Sequence, residues 1–341
     1  MAYRLSAGQP LSDELRRVVF EEIDSAINHL TKRKDKDRDK SIHEARKSVK
    51  KLRGLLRLVT PLIGKKTYRK ENGHLRDIGR KLSDLRDARA VMETFEAVVK
   101  ETEPRKALPE DLTQSIRGRL EKHKSETEQA LDVEGTLNSA VAALQTVREH
   151  AHSYQLDVSG FEGLERGFKS IYRRGRKAMK QARRNPVSEE FHNWRKRVKD
   201  HWYHVRLLSG LNTAFADTRE GDLNRLETWL GDDHNLVVLQ GIIGNGHAGF
   251  RDSKQIREFL SVTEQHGQQL REKAMALGQD LYRFKVKQLW RELAMKGASS
   301  DESVNVQVDG GPLAASSNGA KQPKKKAGSV PSRQSRVKAG A

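Results

Sequence analysis

The chain has 341 residues, 35% of them hydrophobic, and its 65 lysines and arginines against 46 acidic residues leave a formal charge of +19. That apolar content is low but enough for elements that each bury one stripe, and the excess of cations points to an anionic partner or surface. Cysteine is absent, which removes disulfides, thiolate metal sites and cysteine catalysis.

The first residues contain no apolar signal segment, and no run approaches the ~18 apolar residues of a membrane helix. A cytoplasmic protein with no membrane partner is expected. Apolar residues recur at three- and four-residue spacing through most of the first 296 positions, without sustained strand-like alternation, so the fold is expected to be all-α. Ser12 is placed to cap a first helix reaching about Thr31, and KRKDKDRDK at 32–40 reads as a solvated connection. Ser41 and Glu44 form an S-x-x-E capping box, which predicts that the second helix starts there and puts His43 at a helix N-terminus; Pro61 and Gly64 are expected to end it. Further helices are predicted at about 67–101, interrupted near Ser83, and at 110–151 with a break near Gly135.

The segment HSYQLDVSGFEG at 152–163 reads as a hinge. A second series of helices follows at about 161–184, 188–209, 217–243 (broken near Gly231) and 253–296, with Pro186 and Ser188 marking entry to the second of them. From about Gly297 the composition shifts to Gly, Ala, Ser, Asn and Lys, which predicts a disordered basic tail over 297–341.

One motif occurs in both series: His43-Glu-Ala-Arg46-Lys47-Ser-Val-Lys50 and His192-Asn-Trp-Arg195-Lys196-Arg-Val-Lys199. Positions i, i+3, i+4 and i+7 share one side of a helix, so each copy presents a row of cationic donors. The first row continues as His43, Arg46, Lys50, Arg53 and Arg57, beside the apolar stripe Ile42, Ala45, Val49, Leu52, Leu56 and Val59. The second runs His192, Arg195, Lys199, Tyr203 and Arg206 beside Phe191, Trp194, Val198, Trp202 and Val205. A cationic row next to a buried seam is where a helix lines a cleft, and arginine forks with lysine point charges suit phosphate oxygens. At an offset of about 149 residues, Arg57 and Leu58 also match Arg206 and Leu207, and KLSDLRDARAV at 81–91 matches WLGDDHNLVVL at 229–239. The two halves therefore read as an internal duplication.

H-x-x-R-K-x-x-K followed by a leucine-rich segment, then L-x-D-x-R-D, with both elements repeated, resembles the CHAD family, the conserved histidine α-helical domain. The resemblance spans about 8–296. It implies two four-helix bundles, 8–151 and 161–296, packed with pseudo-twofold symmetry around a basic pore that binds inorganic polyphosphate. Carried over by position, the implied contacts are His43, Arg46, Lys50, Lys51 and Arg53, and His192, Arg195, Lys196 and Lys199; Lys47, Arg57 and Arg206 complete the candidate set from the two rows. The second helix departs from the first at Asp200, His201 and Trp202, which align with Lys51, Leu52 and Arg53.

The expected function is nonenzymatic polyphosphate binding, with association to polyphosphate granules, no cofactor and no metal. Asp84, Asp87, Asp232, Asp233 and His234 lack the spacing of a metal phosphohydrolase, and Glu101-Thr-Glu103-Pro-Arg105 is only the nearest string to the E-x-E-x-K of the triphosphate-tunnel domain attached in some relatives. The remaining histidines and the tryptophans read as surface, interface or core residues. The alternative reading is a nucleic-acid-binding or nucleoid-associated protein acting through its basic surface and lysine-rich tail, and weak nonspecific nucleic-acid binding is expected under either. The sequence leaves the oligomeric state open.

Overall fold

The structure, a computed structural model, describes residues 3–32, 37–102, 108–154, 160–245, 250 and 253–294. The expectations for the 297–341 tail, for Glu103-Pro-Arg105, and for parts of the charge run (33–36) and hinge (155–159) fall outside them. All regular structure among the described residues is helical.

Among the described residues ten α-helices follow in order: α1 Leu11–Thr31, α2 Arg38–Asp84, α3 Asp87–Thr102, α4 Glu110–Ala130, α5 Val133–Ser153, α6 Glu165–Arg184, α7 Ser188–Leu208, α8 Thr213–Gly244, α9 Lys254–Leu281 and α10 Val286–Ala294. A 3₁₀ turn, Phe161–Leu164, leads into α6.

Several expected boundaries move, each for a local reason. Pro10, not Ser12, flanks the start of α1, and the Ser12 hydroxyl turns to Asp13. The helix carrying the first motif begins a turn earlier than the capping box, because Arg89 of α3 holds Asp39 in the preceding turn. His43 therefore lies inside a helix and not at its N-terminus. The chain stays helical through Pro61 and bends only at Gly64, whose φ of 78° is cheap for glycine alone, so α2 consists of two limbs, 38–63 and 65–84. The break near Gly135 falls at Leu131–Asp132, where the Asp132 carboxylate accepts from the Gly135 N–H at 2.9 Å.

In the second series α8 runs unbroken past Gly231. Buried Leu223, Leu226, Leu230, Leu236 and Leu239 along it outweigh the ~1 kcal/mol helix cost of one glycine. The single helix expected at 253–296 is two, because side chains take over the carbonyls between them: Arg219 donates to Leu281 O at 2.7 Å and Tyr172 to Phe284 O at 3.0 Å.

Three apolar cores hold these elements. The first joins α1, both limbs of α2 and α5, with Ala26, Ile42, Val49, Leu52, Leu75, Ile78 and Leu144 at its centre. The second is built from α6, α7, the first part of α8, the end of α9 and α10, and takes in Tyr3, Leu5, Leu55, Leu58 and Val59 from the N-terminal half. The third packs Val91, Phe95 and Val98 of α3 and Leu112, Ile116 and Leu120 of α4 against Leu236, Leu239 and Ile243 of α8 and Phe259 and Leu270 of α9. That last core draws on both sides of the 152–163 segment.

Candidate functional site

The motif rows lie on the first limb of α2 and on α7, and these helices cross closely. A β-carbon at Gly54 would stand 3.1 Å from the Cβ of Tyr203, and fully buried His204 donates through Nε2 to the Gly54 carbonyl at 2.9 Å. Any larger residue at position 54 would press on the Tyr203 side chain and force it to give by a few tenths of an ångström.

One turn before the crossing on each helix stand Lys50 and Lys199. Burial first, then repulsion from Lys199, Arg46 and Arg195, pushes the Lys50 ammonium down to about 7. Burial lowers Lys199 too, but Glu227 of α8 opposes the loss of its proton. Glu227 is itself buried, accepting from Lys199 at 2.7 Å and from Arg195 Nε at 3.2 Å. Burial works against its charge, yet Lys199 and Arg195 outweigh it and hold the carboxyl below its ordinary range.

Arg46 donates to the Ser83 hydroxyl at 2.8 Å, and burial lowers its affinity for its proton. Among the described residues no carboxylate comes within ion-pair distance of Arg46 or Lys50, the nearest opposing charges being Asp87, Asp84 and Glu227 at longer range. Of these four half-buried cations, only Arg195 and Lys199 bond a carboxylate directly, and it is the same one.

The two motif histidines flank this cluster. Arg86 donates to Nδ1 of His43, which leaves Nε2 to carry the ring proton, and burial followed by Arg86 depresses the histidine below 6.5. His192 packs against His234 with ring centroids 4.1 Å apart and the planes tilted by 36°. Both are depressed mainly by burial, His234 to about 4. Lys47 and Lys196 border these histidines from more open positions, Lys47 paired with Glu44 at 2.9 Å.

Beyond the crossing, Arg57 pairs with buried Asp200 at 3.2 Å, Arg197 joins the same carboxylate at 3.3 Å, and Arg53 donates to Asn72 at 3.1 Å. The departure of the second motif helix at Asp200 is therefore an ion pair between α2 and α7. Lys51 and Arg206 belong to another group. Lys51 bonds Glu22 at 2.8 Å beside the Tyr3 ring, while Arg206 sits 3.7 Å from Glu220 and flanks the Trp202 ring.

Of the twelve candidate residues, the structure gathers Arg46, Lys50, Arg195 and Lys199, sets His43, Lys47, His192 and Lys196 at the flanks, and puts Arg53 and Arg57 across the helix crossing. Lys51 and Arg206 are not brought to the cluster. Sequence reasoning missed Glu227 and Ser83. For Glu227 a signal exists: it stands in helical register with Leu223 and Leu230, an acid on an apolar stripe. His201 and His204 are core residues with no exposed surface, as is Trp194.

Chemically, this cluster repels metal cations and favours a multivalent anion, whose charge would offset that of cations held together out of water. Compared with known protein families, the chain matches the CHAD domain over residues 21–244. No curated protein matches it significantly.

Proposed function

The chain belongs to the CHAD domain family, and we propose that it binds inorganic polyphosphate, without catalysing a reaction, in a basic pore formed between two duplicated halves. The observation that carries this reading is the cluster of Arg46, Lys50, Arg195 and Lys199, where cations from both motif helices are held together with one bonded carboxylate. Consecutive phosphates would stand between the two rows, arginine forks and lysine ammonium groups binding the oxygens and the His43 Nε2–H adding a neutral donor.

Matched contacts support the duplication. His43 meets Arg86 where His192 meets His234, and Arg46 rests on Ser83 where Arg195 lies over Gly231. Each of these pairs is related by the sequence offset that aligns 81–91 with 229–239. Gly54 and Tyr203 correspond to each other at the 149-residue offset and also touch, as do Lys50 and Lys199 electrostatically. Self-corresponding positions in contact are what a twofold axis between α2 and α7 requires. The cores follow the same pattern: the limbs of α2 with α5 correspond to α7 and parts of α8 and α9, and α3–α4 to the remaining parts.

The test is a polyphosphate titration at two salt concentrations, with duplex DNA and RNA as competitors, on the intact chain and on one lacking 297–341. Changing Arg46, Lys50, Arg195 and Lys199 together to alanine is expected to weaken binding at least ~100-fold at moderate salt, and binding of the native chain should fall steeply with salt. Unchanged affinity in that variant would remove the cluster from the site. DNA competing on equal terms, with binding lost on removal of the tail, would move the function to nucleic acid. The same affinity would bring a cytoplasmic protein to polyphosphate granules, which imaging of the tagged chain checks.

A further inference from the structure

Glu71 and His74 stand three residues apart on the second limb of α2, so their side chains share a face, and His150 of α5 lies opposite. His150 Nδ1 is 3.2 Å from Glu71 Oε1, and His74 Nδ1 is 3.5 Å from Glu71 Oε2. The donor atoms of all three lie within 4.8 Å of one another. Zinc–ligand bonds of about 2.0–2.1 Å make the edge of a coordination tetrahedron roughly 3.3 Å, close to both separations.

We propose that Glu71, His74 and His150 bind one divalent transition-metal ion of the zinc class, clamping α5 to the second limb of α2. The Glu71 side chain is 3% exposed, so its charge must be matched, yet Lys70 reaches only 4.0 Å and is itself mostly in solvent. His74 Nδ1 is buried with no hydrogen-bond partner. The two imidazoles lie side by side, with centroids 5.5 Å apart, and both turn a nitrogen to the one carboxylate.

A divalent ion would take a lone pair from each ring and offset the carboxylate charge in the same step. Two imidazoles and one carboxylate are borderline donors that select zinc, cobalt or nickel over calcium or magnesium. Tyr154 donates to Glu71 Oε1 at 2.6 Å, the outer hydrogen bond that orients a ligating carboxylate. Among the described residues no fourth histidine or acid joins the group, leaving a position for water. This site is separate from the basic cluster and unduplicated: at the 149-residue offset Glu71 and His74 correspond to Glu220 and Leu223.

The experiment uses the full chain, stripped with chelator and free of polyphosphate, which would itself sequester the metal. Titration with Co(II), followed by its visible absorption, should saturate at one ion per chain with the intense bands of low coordination, and Zn(II) should displace it and raise Tm. His74→Ala and His150→Ala are each expected to weaken metal binding at least ~100-fold, while His43→Ala and His192→Ala leave it intact. Circular dichroism of the metal-free variants checks folding, and His74→Gln, at a partly exposed position, provides a second variant. No saturable binding below about 100 μM, or equal binding by the His74 and His150 variants, would overturn the proposal. Polyphosphate affinity of the metal-free chain is a separate readout, so the two sites can fail independently.

Discussion

Burial and its cationic neighbours both press Lys50 to give up its proton. Its folded value of about 7 lies below the ordinary 10.5 that it recovers on unfolding. Between those values the unfolded chain binds a proton that the folded chain does not, so this residue makes stability rise with pH from about 7 to 10.5. Below 7 the full penalty is present. Lys50→Met should therefore raise Tm by roughly 2–4 °C at pH 6.5 in phosphate-free buffer, with the gain vanishing towards pH 10.5; calorimetry across that range checks it. An anion reverses the balance by favouring the protonated form, so polyphosphate affinity should fall as pH rises from 6 to 8.5, and Lys50→Arg should flatten that profile. Among the facing groups, His43, His192 and His234 are each depressed from the ordinary histidine value, His234 to about 4, while Glu227 is held below the ordinary carboxyl range and opposes loss of the Lys199 proton. The cationic rows were legible because their period is that of a helix. Their burial was not, because it is created by α8 bringing Glu227 onto α7.

At the scale of the elements, spacing located the helices and local chemistry misjudged several ends. A capping box, a proline and a glycine each carry a preference of about 1–3 kcal/mol, and tertiary contacts override preferences of that size. Ser41 lost its role to the Arg89–Asp39 contact, and Gly231 became a place for Arg195 to lie, its absent β-carbon leaving room 3.2 Å from Nη2. Close helix approaches are harder to read, since nothing along the chain says which glycine faces a backbone. Gly167 of α6 is the sharpest case: a β-carbon there would overlap the carbonyl of Leu58 in α2. Gly167→Ala should destabilise by about 1–3 kcal/mol, seen as a lower urea midpoint with an unchanged slope.

For the whole molecule, the third core decides whether the halves are independent. The apolar faces of α3 and α4 are buried against α8 and α9, and Leu5 N–H donates to Leu207 O at 2.8 Å. A chain of residues 8–151 alone keeps α1, α2 and α5 packed but exposes Val91, Phe95, Val98, Leu112, Ile116 and Leu120. It should show helical circular dichroism, bind an apolar dye, and lose amide protection in α3 and α4 while retaining it in α1 and α5; uniform protection would contradict the shared core. The paired motifs were legible as a repeated sequence pattern, but the packing of α3–α4 against α8 and α9 in a common core depends on contacts far apart in the chain.

The close approach of Gly54 to Tyr203, with Lys199 near enough to repel the charge of Lys50, has a bearing on what kind of polymer the proposed pore would take. A nucleic-acid strand has a 5′ and a 3′ end, so a binding surface must favour one polarity or tolerate both imperfectly. A phosphate chain is the same from either end. Under the proposed twofold axis the two helices would present the same cations in opposite order, so a chain of phosphates entering from either end would meet histidine, arginine and lysine in the same succession. No encounter would then be wasted on the wrong orientation.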